Sequence, residues 1–240
     1  MANDREIALA ALRSSRWLSA FTEGLAEQLV SEGVLRRHDE GAWLQAEGDE
    51  AAGVMFLVQG AAEMFGRASN QKDVCLAYLK GGTAWGQTPN FGGGPRLATV
   101  ICAEPSLVLH LSDQTLRRVA HTRPEVWQAV TGLLYMQLGM AMQWAVDVLA
   151  LGPRERIATR LLTMMRAGSP THVFHISQQS LAEMVGLTRK TVNLHLATLQ
   201  DEGAVKLEYG RIRVLDAAIL ERAVSIEPGQ ADARLGSYIN

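Results

Sequence analysis

The densest chemistry in this 240-residue chain lies between Ser177 and Arg213. The stretch SQQSLAEMVGLTRKTVNLHLATLQDEG holds two short apolar-periodic segments parted by Gly186. Ser177 and Thr188 carry hydroxyls placed to cap helices running from Gln178 to about Met184 and from Arg189 to about Glu202. Gly186 falls where the turn between them needs an unhindered backbone. On a helical wheel Val192, Leu196 and Leu199 make a buried stripe, while Lys190, Asn193, Leu194 and Ala197 share the opposite face, flanked by Arg189 and Thr191. A helix entering the major groove presents its N-terminal residues to base edges, where Arg and Lys donate to guanine and Asn pairs with adenine. After Gly203, AVKLEYGRIRVLD reads as a hairpin turning near Tyr209 and Gly210, with Lys206, Arg211 and Arg213 set to reach phosphates. Helix-turn-helix plus wing predicts double-stranded DNA as a partner. The predicted contacts are Ser177, Gln178, Thr188, Arg189, Lys190, Thr191, Asn193, Leu194, Lys206, Arg211 and Arg213.

Other clusters carry less. A metal-dependent barrel enzyme needs a His-x-His with a carboxylate and a further histidine, and between Gly41 and Ser112 only His110 occurs. No catalytic residue and no metal ligand set is assigned, and the chain is not expected to be an enzyme. The two cysteines, Cys75 and Cys102, sit in apolar runs and suit small buried hydrophobes in a reducing compartment. Two thiols exclude a four-thiolate iron-sulfur cluster within one chain. Charge is split: residues 154–225 hold ten Lys and Arg against seven Asp and Glu, about +3, whereas residues 1–153 carry about −4. A basic C-terminal part fits a nucleic-acid reader.

These groups need a scaffold. Apolar positions at helical spacing between residues 6 and 31 predict one or two amphipathic helices. From Gly41 to Ser112, short β-forming runs (AWLQA, GVMFLVQG, AEMFG, VCLAYL, ATVICA, SLVLHLS) alternate with turn signals, which predicts an antiparallel barrel or jelly roll. Gly48, Gly60 and Gly82 are expected in its turns with positive φ. Beyond Pro124 an apolar-rich run extends to about Leu151. Trp127, Val130, Leu134, Gln137, Ala141, Trp144 and Val148 recur in steps of three and four, the spacing of a two-stranded seam, so they are the predicted dimer interface. Gly152 and Pro153 then break the helix. The predicted fold class is α+β, with a β-roll sensor over 1–123, a dimerisation helix over 124–151, a winged helix over 152–225 and a polar tail over 226–240. With no signal-peptide layout and no apolar run of roughly 18 residues, a soluble cytoplasmic protein without a membrane segment is expected.

Barrel, long helix, break and winged helix in that order, together with LRRHDEGAWLQAEGDEAAGVMFLVQGAAEMFG, resemble the Crp/Fnr family of bacterial transcription regulators over about residues 17 to 222. The resemblance implies a cyclic-nucleotide-binding-type antiparallel β-roll, a dimerising helix, a palindromic operator and, for an activator, RNA polymerase as partner. The family's recognition helix often begins Ser-Arg-Glu-Thr-Val. Here Arg189 matches the guanine-reading arginine, Lys190 replaces a glutamate, and Leu194 stands where the cyclic AMP receptor protein has another arginine. The family's phosphate cassette reads roughly Gly-Glu-Leu, a spacer, then Arg-Ser/Thr-Ala. This chain offers Gly86, Gln87, Thr88 and Pro89, then Arg96, Leu97 and Ala98. Gln87 and Leu97 replace a carboxylate and a hydroxyl, which argues against cyclic AMP or cyclic GMP and leaves another small molecule or none. The effector pocket is assigned Trp85, Gly86, Gln87, Thr88, Arg96, Leu97, Ala98 and Tyr135, between the roll and the long helix. Trp43, Trp85, Phe91 and Trp127 are candidates to line an apolar cavity. The alternative cofactor is haem, with His38, His110 or His121 as axial ligand.

Overall fold

A computed structural model describes residues 2–21, 23–50, 53–87, 94–166 and 172–224. Thr88, Pro89, Phe91 and the tail 226–240 lie outside the described residues. The chain divides into two compact units, Met1–Gln71 with Tyr78–Tyr135, and Lys72–Ala77 with Met136–Asn240.

The first unit begins with α1 (Ala2–Ser14) and α2 (Glu23–Glu32). The antiparallel strands that follow form two four-stranded sheets. One is ordered β1 (Val34–His38), β8 (Ser106–Ser112), β3 (Gly53–Gln59), β6 (Thr83–Trp85). The other is ordered β2 (Trp43–Gln45), β7 (Thr99–Cys102), β4 (Ala61–Arg67), β5 (Asp73–Lys80). The predicted roll is therefore two sheets, as a chain of short strands with frequent turns requires. β3 and β8 are buried at most positions instead of alternating, with Phe56, Leu57, Leu107, Leu109 and Leu111 all in the core. That continuous burial hid from the sequence which strands are central. β1, β6 and α3 (Asp113–Thr122) had no sequence expectation. β1 is cationic, β6 is three residues long, and α3 starts at a Ser112 cap inside an apolar run. Gly48, Gly60 and Gly82 all take positive φ, and Cys75 and Cys102 are buried thiols outside any disulfide.

Helix α4 (Val126–Ala150) gives its first turns to the first unit and the rest to the second. The division between the two compact units thus falls at Tyr135, within the helix. Contrary to the expectation from apolar runs, α4 is long and apolar enough to cross a membrane by length and composition alone. Glutamines and one aspartate interrupt the run without making it polar.

In the second unit, α5 (Pro153–Arg166), α6 (Gln178–Met184), α7 (Arg189–Asp201) and α8 (Ala217–Ala223) accompany a three-stranded sheet ordered β10 (Val205–Glu208), β11 (Arg211–Val214), β9 (Val173–Phe174). Ile157, Leu161, Leu181, Val192, Leu196, Leu199 and Leu220 are buried. The stripe predicted for α7 is the one that faces this core.

Candidate nucleic-acid interface and effector pocket

The interface starts with two caps. Ser177 Oγ accepts from the Ser180 amide at 2.9 Å, and Thr188 Oγ1 accepts from the Thr191 amide at 3.1 Å, fixing the starts of α6 and α7. Gly186 between them has φ +65°, a left-handed conformation that a side chain resists. With α7 locked at its N-terminus and buried along Val192, Leu196 and Leu199, its other face reaches solvent. Arg189, Lys190, Asn193, Leu194 and Ala197 are exposed, and Thr191 is half-buried. Ser177 is exposed and Gln178 half-buried at the start of α6. The first turn of α7 thus carries two cations beside unsatisfied backbone amides, a positive end suited to phosphate and base edges.

The wing turns at Tyr209 and Gly210, where the hairpin is expected to turn, and pairs Lys206 with Arg213 and Glu208 with Arg211. Tyr209 is fully exposed at its tip. Glu208 is the residue that sequence reasoning passed over. Lys206 Nζ stands 3.4 Å from Glu208 Oε1 and Arg213 Nη2 4.0 Å from it, so part of the wing's charge is met within the hairpin. Exposed pairs like these are weak and exchange readily for a phosphate.

Three donors converge on the carboxyl end of α6. Trp144 Nε1 donates to the Met184 carbonyl at 2.7 Å, Arg160 Nη2 to the same oxygen at 3.0 Å, and Arg156 Nη1 to the Val185 carbonyl at 3.5 Å. They border a cleft of about 80 Å³ that also touches Gln143, Asp147 and Thr159. Cations and an indole N–H on the carbonyl end of a helix complement its dipole and its unpaired acceptors. Burial pushes the Arg160 pKa down, and Asp147 partly offsets this. Trp144, predicted for a subunit seam, is therefore engaged within its own chain. Val130 is likewise buried in the first unit. Trp127, Leu134, Gln137 and Val148 are half-buried, and of the predicted set Ala141 and Trp144 alone are exposed. The exposed apolar stripe of α4 is instead Tyr135, Leu138, Met142, Ala145 and Leu149, the last 86% exposed. It has the same three-four spacing but lies about 100° round the helix. The sequence presents both stripes, and packing within the chain covers the first of them only in part.

The cassette in the first unit is organised differently. Arg96 is only 4% exposed. Its Nη1 donates to the Gly53 carbonyl at 3.0 Å and to the Gly86 carbonyl. Its backbone bonds to Gly48 and Asp49 at 2.9 and 2.8 Å. Gly86 has φ +94°, and a Cβ there would collide with the guanidinium. Burial pushes the Arg96 pKa down, and Asp49 partly restores it. Trp85, Gln87 and Ala98 are buried around this arginine's segment, but Leu97 is 67% exposed and Tyr135 61% exposed. Trp43 is 65% exposed and Trp127 half-buried.

Two of the three histidines considered for a haem pair with each other. His38 Nε2 and His110 Nε2 face each other at 3.2 Å, each taking up the other's ligating nitrogen. His121 is exposed at the end of α3. Burial, with smaller contributions from His38, Arg36 and Arg96, pushes the His110 pKa down to about 4. No group of three or more His, Cys, Asp or Glu that could hold a metal occurs among the described residues.

Residues 155–223 match the Crp-like helix-turn-helix domain and residues 35–123 the cyclic nucleotide-binding domain. The chain is 28% identical over 187 residues to the cyclic AMP receptor protein of Thermus thermophilus, covering 78% of this chain and 86% of that protein. It is 24% identical over 183 residues to the CRP-like cAMP-activated global transcriptional regulator of Mycobacterium tuberculosis, covering 74% and 82%. In fold it is similar to FixK2 from Bradyrhizobium japonicum, with a TM-score of 0.69 at 18% identity over 80% of this chain and 96% of that one. The relatives are transcription regulators. A roll with a cassette segment in one unit and a capped, solvent-facing reading helix with its wing in the other follow the same order along the chain as these domains, and the chain belongs to the Crp/Fnr family of DNA-binding transcription regulators.

Proposed function

We propose that the protein is a cytoplasmic homodimer, without catalytic activity, that binds a palindromic operator through α7 and the wing. The observation that carries this reading is the exposed face of α7, where Arg189, Lys190 and Asn193 stand together above a buried stripe. Two copies joined along Tyr135, Leu138, Met142, Ala145 and Leu149 present two such helices to half-sites about 34 Å apart. An exposed stripe of this size on a 25-residue helix is unfavourable in water and complementary to its own copy. If the protein activates transcription, RNA polymerase is its further partner. Replacing Leu138 and Met142 by glutamate yields monomers in sedimentation and lowers operator affinity by at least a hundredfold in gel shifts. A dimer untouched by both changes refutes the seam.

The cassette supports an effector other than a cyclic nucleotide, or none. Arg96 already commits both N–H groups of Nη1 to the Gly53 and Gly86 carbonyls, which leaves fewer of its donors for a phosphate. A second reading, response to cyclic AMP, is favoured by the domain match and by relatives named for cyclic AMP. Calorimetry separates the two. No heat with cyclic AMP or cyclic GMP at 100 μM supports the first, and micromolar binding lost in Arg96→Lys supports the second.

A further inference from the structure

The reading face of α7 contains an apolar residue that neither its own core nor the wing uses. Leu194 is 66% exposed although the same helix buries Val192, Leu196 and Leu199. At 100° per residue, Leu194 lies 40° from Lys190 and 60° from Ala197, inside the exposed arc that starts at Arg189. Ala197 is exposed near the centre of that arc, where a side chain with no reach lets the helix backbone approach a groove floor closely. A leucine left in water at the edge of a polar, cationic surface costs solvation that burial against an apolar partner returns. In the major groove, the apolar group a base edge offers is the C5-methyl of thymine, and apolar side chains contact it.

We infer that Leu194 is a specificity-determining residue that reads a thymine methyl in each half-site, next to a base contacted by Lys190 or Asn193. The inference rests on the proposed reading of DNA by α7. It also predicts what the half-site lacks: no guanine is favoured at the Leu194 position, because a guanine there leaves O6 and N7 facing a side chain without donors. A 5-methylcytosine presents the same methyl in the same place and substitutes for the thymine in part.

The test begins with sites selected from a random duplex library. Each thymine of the selected half-site is then replaced by uracil, which removes the methyl and leaves every hydrogen-bonding edge unchanged. At one position per half-site, uracil weakens the wild type about fourfold, the value of one buried methyl-sized group. The same replacement leaves Leu194→Ala unchanged, and since Leu194 is exposed this variant folds. Equal binding of wild type to every uracil site, or an equal loss in Leu194→Ala, overturns the inference while leaving DNA reading by α7 intact. A chain that selects no sequence at all overturns both.

Discussion

Arg96 and Arg189 both stand at positions where a ligand-reading arginine is expected, and the fold uses them in opposite ways. Arg189 projects from the first turn of a capped helix into solvent, among other exposed polar groups. Arg96 is folded inward onto two backbone carbonyls, beside a glycine whose missing side chain makes room for it. An exposed guanidinium keeps its hydration until a partner displaces it. A buried one needs partners in the folded chain, and here two backbone carbonyls supply them to Nη1. The same residue type therefore stands open to solvent in one unit and braces the backbone in the other.

The contrast predicts a division of effects. Arg96→Ala leaves the Gly53 and Gly86 carbonyls without their donor and lowers stability by about 3 kcal/mol in denaturant titrations, whereas Arg189→Ala changes it by about 0.5 kcal/mol or less. Equal stability losses would erase the distinction. In DNA binding the roles reverse. Arg189→Ala costs about 1 to 3 kcal/mol of discrimination at one base pair, and Lys190→Glu changes which half-site is selected. Identical selected sites for wild type and Lys190→Glu would remove Lys190 from base reading.

Interior charge gives a third, smaller effect in the first unit. His110 is held at about 4 against an ordinary 6.5, so the folded chain keeps it neutral while the unfolded chain takes up a proton. Its contribution is complete above pH 6.5 and declines as the pH falls toward 4, on the order of 2 kcal/mol in all. His38 shifts in the same direction through burial. His110→Gln should flatten the fall in stability between pH 6.5 and 4, and an unchanged slope would place the acid sensitivity elsewhere. The smallest effect belongs to Trp144. Trp144→Phe removes one of two donors to the Met184 carbonyl, lowers the second unit's stability by about 1 kcal/mol, and leaves the chain dimeric in sedimentation. A monomeric Trp144→Phe would return this residue to the subunit seam.

The winged helix was readable residue by residue because its signals are local. A hydroxyl cap, a glycine at positive φ, a stripe of period 3.6 and a hairpin turn are each decided within a few residues of chain. The roll was readable as a class but not as a topology. Its central strands, β3 and β8, lie about fifty residues apart in sequence and pair in a register running from Gly53 with Ser112 to Gln59 with Leu107. Nothing in the alternation of either strand names the other, since both are buried almost throughout.

The sequence by itself determined which residues meet at the DNA-reading face, because helix geometry converts spacing directly into direction. It also determined that Gln87 and Leu97 stand where the family has a carboxylate and a hydroxyl, because those are facts of composition at fixed positions. Only the tertiary structure decided which apolar stripe of α4 is left open, since Trp144 and Val130 are engaged by residues distant in the chain and Leu138, Met142 and Leu149 are not. Only it decided that Arg96 points inward. A side chain's spacing fixes the face it starts from, but the free energy of burying a charge depends on acceptors that separate strands bring to it, here the carbonyls of Gly53 and Gly86.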